Sequence, residues 1–315
     1  MSVYEYFKLK RHYSVLLSKR NAKWEDLQIS DYGGIDYIEA FKANEMIKKL
    51  ISSGTPFYIG RFGETELRTL FCYEHPILNV MNLKSASYSI CNNAGFFPKN
   101  IFAIWQFTRY YKAAISKMDY LGMFLWNSEE YYVKKYGKNM KKCFSASILD
   151  PLFIASPWTA ALKGKKVLVI HPFSQSIQKQ YYNNREKLFG TNKDILPEFS
   201  LVTIKAVQSI GGEGAEGYHN WFEALEYMKN EISHSEFDIA LFGCGAYGNS
   251  LGAYIRSLGK QAIYCGGALQ LMFGILGSRW EDREYVSRYV NEYWIRPDEN
   301  EKPVKFVNVE SGCYW

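Results

Sequence analysis

The chain of 315 residues contains no run of about 18 apolar residues, so no membrane-spanning helix is expected. Its six cysteines (72, 91, 143, 244, 265 and 313) form no CxxC pair and share no ligand spacing with histidine, which argues against a structural zinc site. No signal-peptide pattern opens the sequence, so reduced thiols and a cytoplasmic location are expected. No GxxxxGK[ST], HExxH or GxSxG string occurs, which removes P-loop kinases, zincins and lipase-type hydrolases from the leading readings. Internal repeats and low-complexity tracts are absent too. The charge excess is small: 38 Lys and Arg against 32 Asp and Glu give +6. That suits an anionic substrate or a membrane surface and is too weak to imply nucleic acid.

What is present is core material. Apolar residues make up 47% and charged residues 22%, which excludes disorder, and the length calls for two domains or one large α/β domain. Aromatic residues reach 17%, enough to line grooves as well as to pack. The first 20 residues place Tyr6, Leu9, Tyr13, Leu16 and Leu17 on one helical face and Lys8, Arg11 and Lys19 on the other. Such a helix either docks on the body or lies on an anionic membrane surface. A second helix is expected over 37–52. A strand over 57–60 then runs into a loop at Arg61–Glu66 and a further helix. Residues 75–100 read as irregular, 101–118 as an aromatic helix and 120–126 as a buried strand. The lysine-rich run 134–142 reads as a solvated face.

After a connector at 151–157 the pattern becomes regular. Strands at 165–171, 201–207, 237–243 and 261–267 alternate with helices at 175–189, 219–233 and 246–259. That alternation predicts an α/β fold: a Rossmann-like, mostly parallel sheet with helices on both faces. Gly259 fits a left-handed helix terminus. The expected division is a helical segment over 1–54, an α/β domain over 55–277 with a hinge near 151–157, and a C-terminal extension over 278–315.

Four motifs can carry chemistry. Arg61-Phe62-Gly63-Glu64-Thr65-Glu66 stands after a strand and opens a helix, where ligands of open α/β sheets bind. Its two carboxylates could hold one divalent cation, and Arg61 could pair with a phosphate; acids in a first helical turn are also simply favourable there. In Phe242–Gly252, Gly243, Gly245 and Gly248 fit GxGxxG, and either let a phosphate approach the backbone or let a strand and helix pack closely. No acidic residue follows about 20 positions later, which disfavours NAD. His171 ends a strand and faces the expected crevice, as a base, a donor contact or a buried structural histidine. The glycine-rich loop 208–220 carries Glu213, a candidate base on a candidate mobile segment.

The strings RFGETE, KGKKVLVIHPF and FGCGAYGNSLGAYIRSLGKQAIYCGG resemble those of the GT-D-type glycosyltransferases, first described as a domain of unknown function in bacterial surface-glycan clusters. The likeness spans roughly residues 55–275 and is closest to the GT-D-fold-like proteins of capsule and exopolysaccharide loci. Members carry RFGDGE at the end of the first strand, and Glu64 and Glu66 stand in register with its two acids. Glu replaces Asp at 64, and Thr replaces Gly at 65. The resemblance implies sugar transfer from a nucleotide-sugar donor, with UDP-sugar favoured, to a lipid-linked or oligosaccharide acceptor. It implies Mn²⁺ or Mg²⁺ on Glu64 and Glu66, with Arg61, Gly63, His171, Gly243, Gly245 and Gly248 around the donor. Peripheral contact at the inner membrane face is a further expectation. Two other readings stay open: a non-catalytic nucleotide-sugar or glycan-binding component of a biosynthetic complex, and a different Rossmann-like enzyme using NAD or S-adenosylmethionine.

Overall fold

The computed structural model describes residues 31–212 and 214–315. The helix expected over 1–20 and the candidate base Glu213 lie outside the described residues. A short antiparallel pair, β1 (Asp31–Tyr32) and β2 (Ile35–Asp36), precedes helix α1 (Ala40–Ser53). The main sheet is built from β3 (Tyr58–Arg61), β4 (Tyr120–Met123), β5 (Lys142–Ser145), β6 (Lys166–His171), β7 (Ser200–Lys205), β8 (Ile239–Phe242) and β9 (Gln261–Tyr264). Its seven strands run in the order β5-β4-β3-β9-β8-β6-β7, and every pairing is parallel.

Parallel strands need crossovers, and here these are largely helical: α2 (Glu64–Glu74), α3 (Val80–Ala94) and α4 (Ile101–Ile115) between β3 and β4, and α5 (Glu129–Tyr136) before β5. In the second half, α6 (Ser174–Leu188), α7 (Trp221–Ser233) and α8 (Gly248–Ser257) follow β6, β7 and β8. The runs VLVI and IALF show no polar alternation because both faces of the sheet are covered. Successive residues supply opposite cores. Tyr58, Leu168, Ile170, Ala240 and Phe242 join Leu67, Ile104, Trp221 and Leu251 on one side. Ile59, Val167, Val169, Ile239 and Leu241 join Ile47, Ile51, Ile177 and Trp158 on the other.

The expected strands and helices recur with their ends shifted by a few residues, as in α1 at 40–53 for an expected 37–52. Gly259 has φ +73° just past α8 and takes the left-handed position expected of it. One expectation fails. Residues 75–100 are not irregular: α3 occupies Val80–Ala94, with Ala86, Ile90 and Ala94 buried along one stripe. Its Ser and Asn content hides a helix whose stability comes from tertiary burial, not from propensity. The lysines of 134–142 are exposed, apart from half-buried Lys142, as a solvated face requires, and the run closes α5 and opens β5. Among the described residues no helix is long and apolar enough to cross a membrane.

Chain direction in this sheet creates the site. The helix after β6 packs on one face and the helix after the adjacent β8 on the other, as Ile177 and Leu251 show. The segments after β3 and β9 diverge in the same way, with Leu67 on one face and Leu269 on the other. Divergent crossovers leave a crevice at the carboxyl ends of the strands.

Candidate active site

A cavity of about 410 Å³ occupies that crevice. This is within the usual range for small-molecule sites. Arg61, Gly63, Glu64 and Glu66 reach it from β3 and the start of α2, His171 from β6, and Gly243 and Gly245 from β8. Residues more than a hundred positions apart in sequence therefore meet in one place. Gly248 does not line the cavity; a Cβ there would overlap the Tyr264 ring, so this glycine lets α8 pack on β9. Glu213 is not described, but Gln208, Ser209 and Ile210 of the same loop line the wall.

Arg61 is half-buried at the end of β3. Its guanidinium lies 4.6 Å from the Phe124 ring centroid and 5.6 Å from that of Tyr264, and Nη1 donates to the Cys265 carbonyl at 3.3 Å. Its Nε is enclosed and has no hydrogen-bond partner. Gly266, at φ +71°, leaves room for it, because a Cβ there would meet Nη1. A cation fixed between two rings with a spare donor is prepared for an anion.

The two carboxylates differ. Glu64 takes the first helical position of α2 and is exposed at the rim; Glu66 takes the third and is buried. Two residues apart on a helix is about 200° of rotation, so they are not a preformed pair. Glu66 folds back over Gly63, where any Cβ would collide with its carboxylate. Burial pushes the Glu66 carboxyl above its usual range, while its own backbone N–H and Arg61 pull it the other way. Among the described residues no group of three or more His, Cys, Asp or Glu side chains is arranged to hold a metal. The donor set suits a magnesium-like ion held by one or two carboxylates, water and substrate phosphates, and does not suit an all-protein cage.

His171 is buried, and burial pushes its imidazole down to about 3. Its Nδ1 accepts the Phe173 backbone N–H at 3.1 Å, which leaves the proton on Nε2. A neutral imidazole of that kind offers a hydrogen-bond donor and is a poor general base at neutral pH.

Several lining groups had no recognisable signal in the sequence. Gln270 is fully buried; its Nε2 donates to the carbonyls of Ile275 and Tyr314, and its Oε1 has no partner. Arg279 pairs with Glu310 and donates to the Tyr314 hydroxyl at 3.1 Å. The C-terminal segment expected as an extension thus forms part of the wall, through Glu310, Tyr314 and Trp315. Glu310 and Ser311 hold left-handed backbone at φ 45° and 57° to bring it there. The aromatic end of the chain, whose terminal Trp315 is the kind of residue that docks, was the hint of the C-terminal contribution; Gln270 and Arg279 had none.

No family model matches the chain, and no curated protein does. Solved structures similar to it include a domain of unknown function 1792 in selenomethionine form (10% identity, TM-score 0.45, 92% of this chain and 96% of that one). A second, of the same domain and described as having a distinct glycosyltransferase fold, is 12% identical with a TM-score of 0.42 over 85% and 93% of the chains. A third, described as a new glycosyltransferase from Streptococcus sanguinis, is 10% identical with a TM-score of 0.45 over 84% and 96%. Likeness at this level carries no argument about activity.

Proposed function

We propose that the protein is a glycosyltransferase that moves a sugar from a nucleotide-sugar donor, a UDP-sugar by preference, to a surface-glycan acceptor. The observation that carries this reading is a pair of orphaned groups in one cavity. Arg61 Nε is a cationic donor without a partner, and Gln270 Oε1 is a buried acceptor without one. Buried polar groups are normally satisfied, so each orphan calls for a ligand group. A ligand that offers both a phosphate and a hydroxyl satisfies the two together. The resemblance of RFGETE to the GT-D motif supports the same chemistry.

In this reading the Arg61 fork binds the diphosphate and stabilises charge as it develops on the leaving nucleotide. Gly63, Gly243 and Gly245 let the ligand approach the backbone. The His171 Nε2–H donates to a ligand oxygen, and Gln270 orients a sugar hydroxyl. A diphosphate at the start of α2 also meets Glu64 and Glu66, which favours a counter-cation beside it. Glu64 and Glu66 are the residues that would hold Mg²⁺ or Mn²⁺, whose chemistry is to neutralise the leaving diphosphate.

The test is thermal stability with UDP, GDP, CMP, NAD and S-adenosylmethionine, each with and without Mn²⁺. A ligand at about 100 times its dissociation constant adds about 2.7 kcal/mol. The expected result is a shift with one nucleoside diphosphate that vanishes in Arg61→Ala. A shift with NAD or S-adenosylmethionine instead would overturn the reading. Nucleotide-sugar binding without transfer or hydrolysis, acceptors supplied, would replace it with a non-catalytic binding component.

A further inference from the structure

A second concavity of about 790 Å³ lies on the helical face of the molecule, between α4, α8 and α7, away from the strand ends that form the first cavity. Trp105 and Phe102 stand on α4 at its edge with 51% and 81% of their surfaces exposed. Tyr110 of α4 and Tyr254 of the facing α8 add two more rings. Cations sit on these rings: Arg109 is 5.3 Å from the Trp105 centroid, and Lys229 is 6.0 Å from Tyr110 and 5.5 Å from Tyr254. Lys117 lines the far end; no Asp or Glu lines the groove itself, although Lys229 pairs with Glu226 beside it at 2.7 Å. Beneath it the Ser250 hydroxyl is buried and has no hydrogen-bond partner.

Each feature narrows the occupant. Half-exposed aromatic faces on the surface of a folded protein offer stacking area to flat apolar ring faces. Two exposed cations, Arg109 and Lys117, without a lining acid select a negative partner by charge complementarity. A concave groove favours a chain that fills it over a flat bilayer. An unpartnered hydroxyl on the floor offers a hydrogen bond to a polar ligand. A chain of rings that carries negative charge and hydroxyls is an acidic saccharide.

We propose that this groove binds an acidic oligosaccharide, one bearing carboxylate or phosphate groups, with Trp105 as the stacking platform and Arg109 and Lys117 as its charge partners. The groove opens at the first turn of α4. That turn follows Gly95, a residue of the first cavity's wall, by only a few positions. The groove's role as a dock for the acceptor rests on the transferase reading; the binding itself does not.

The experiment is calorimetry of the full chain with an oligomer of galacturonic acid, with a neutral maltooligosaccharide of equal length and anionic vesicles as controls. The acidic oligomer is expected to bind at least tenfold more tightly than the neutral one, with affinity falling as salt rises. Trp105→Ala and the charge reversal Arg109→Glu are each expected to lose tenfold or more. Both positions are exposed, and the nucleotide-induced thermal shift of either variant should match wild type. Equal affinity of wild type and Trp105→Ala, equal binding of acidic and neutral oligomers, binding of vesicles alone, or no binding at millimolar oligomer would each overturn the proposal. Loss of nucleotide binding in wild type, with oligomer binding through Trp105 intact, would sink the transferase reading and leave this one standing.

Discussion

The Arg61 guanidinium rests on Phe124, and the backbone N–H of Phe124 is held by the buried carboxylate of Glu129 at 3.1 and 3.2 Å. The same carboxylate accepts the Trp126 N–H at 3.3 Å and the Tyr32 hydroxyl at 2.9 Å. One side chain therefore fixes the turn after β4, in which Leu125 and Ser128 take left-handed backbone at φ 59° and 67°. That turn supplies both the ring beneath Arg61 and the Trp126 wall of the cavity.

Glu129 should make stability fall as pH rises through neutrality. Burial pushes its carboxyl from 4.5 up to about 7, although hydrogen bonds from Phe124, Tyr32 and the next residues of the turn oppose the shift. A raised folded pKa means that its contribution is complete below 4.5 and is lost as pH climbs to about 7. The span corresponds to something on the order of 3 kcal/mol. Asp150, pushed up to about 6 by burial, adds a similar slope at lower pH. Denaturant titrations from pH 4 to 8 should show the upper part of the slope flattened in Glu129→Gln and retained in Asp150→Asn. An unchanged slope in Glu129→Gln would remove this account.

His171 should contribute no titration to activity around neutral pH. Its unfolded imidazole takes a proton near 6.5 and its folded one only near 3, so its contribution to stability is complete above 6.5 and drains away as pH falls. The pH profile of donor turnover between about 5.5 and 9 should keep its shape in His171→Gln, which retains a donor near the Nε2 position. His171→Ala should weaken nucleotide affinity by about tenfold, the range expected for one lost hydrogen bond. A wild-type limb near pH 6.5 that disappears in His171→Gln would make this residue a base after all.

Glu64 and Glu66 should separate stability from turnover. Glu64 is exposed, and Glu64→Gln should leave folding stability within about 0.5 kcal/mol. Glu66 carries a raised carboxyl, so its ionised form disfavours the fold above its usual titration range, and Glu66→Gln should be neutral or mildly stabilising at pH 8. Both variants should nevertheless lose most donor turnover, and chelation of divalent ions should lower wild-type turnover toward theirs. Wild-type turnover in both variants would reduce the acids to ordinary residues of a first helical turn.

The sheet and the strand-end motifs were legible because they are local. Apolar runs such as VLVI and the strand–glycine–acid string RFGETE carry their meaning within a few residues. The wall contributed by Arg279, Glu310 and Tyr314 was not, because these side chains reach the cavity, and Tyr314 reaches Gly267, only through the tertiary path of the C-terminal segment. The difference between Glu64 and Glu66 was hidden for a related reason. Spacing shows two acids, and only the packed helix shows that one is exposed and the other folded over Gly63. Helix α3 was missed because Ser and Asn obscured the stripe at Ala86, Ile90 and Ala94.

The three glycines of the loose GxGxxG pattern should fall into two kinds under substitution. At Gly248 a Cβ would overlap the Tyr264 ring, and at Gly252 the Tyr58 ring, so Ala at either position forces apart α8 and the sheet it covers. Such overpacking costs about 1–3 kcal/mol. Neither residue touches the first cavity, so nucleotide affinity measured well below the melting temperature should stay within about twofold of wild type. Gly243 differs, because its Cβ would strike the Gly266 carbonyl and sit 3.0 Å from the His171 ring, inside the cavity. Gly243→Ala should therefore lose nucleotide affinity as well as stability. At Gly245 the backbone is left-handed at φ +54°, and a Cβ would lie 2.7 Å from the Ala94 carbonyl, so Ala there should disturb the wall built by the end of α3. Thermal unfolding and nucleotide titration of the four Ala variants separate the cases. If Gly248→Ala lost affinity while Gly243→Ala kept it, the division between packing and binding glycines would be reversed.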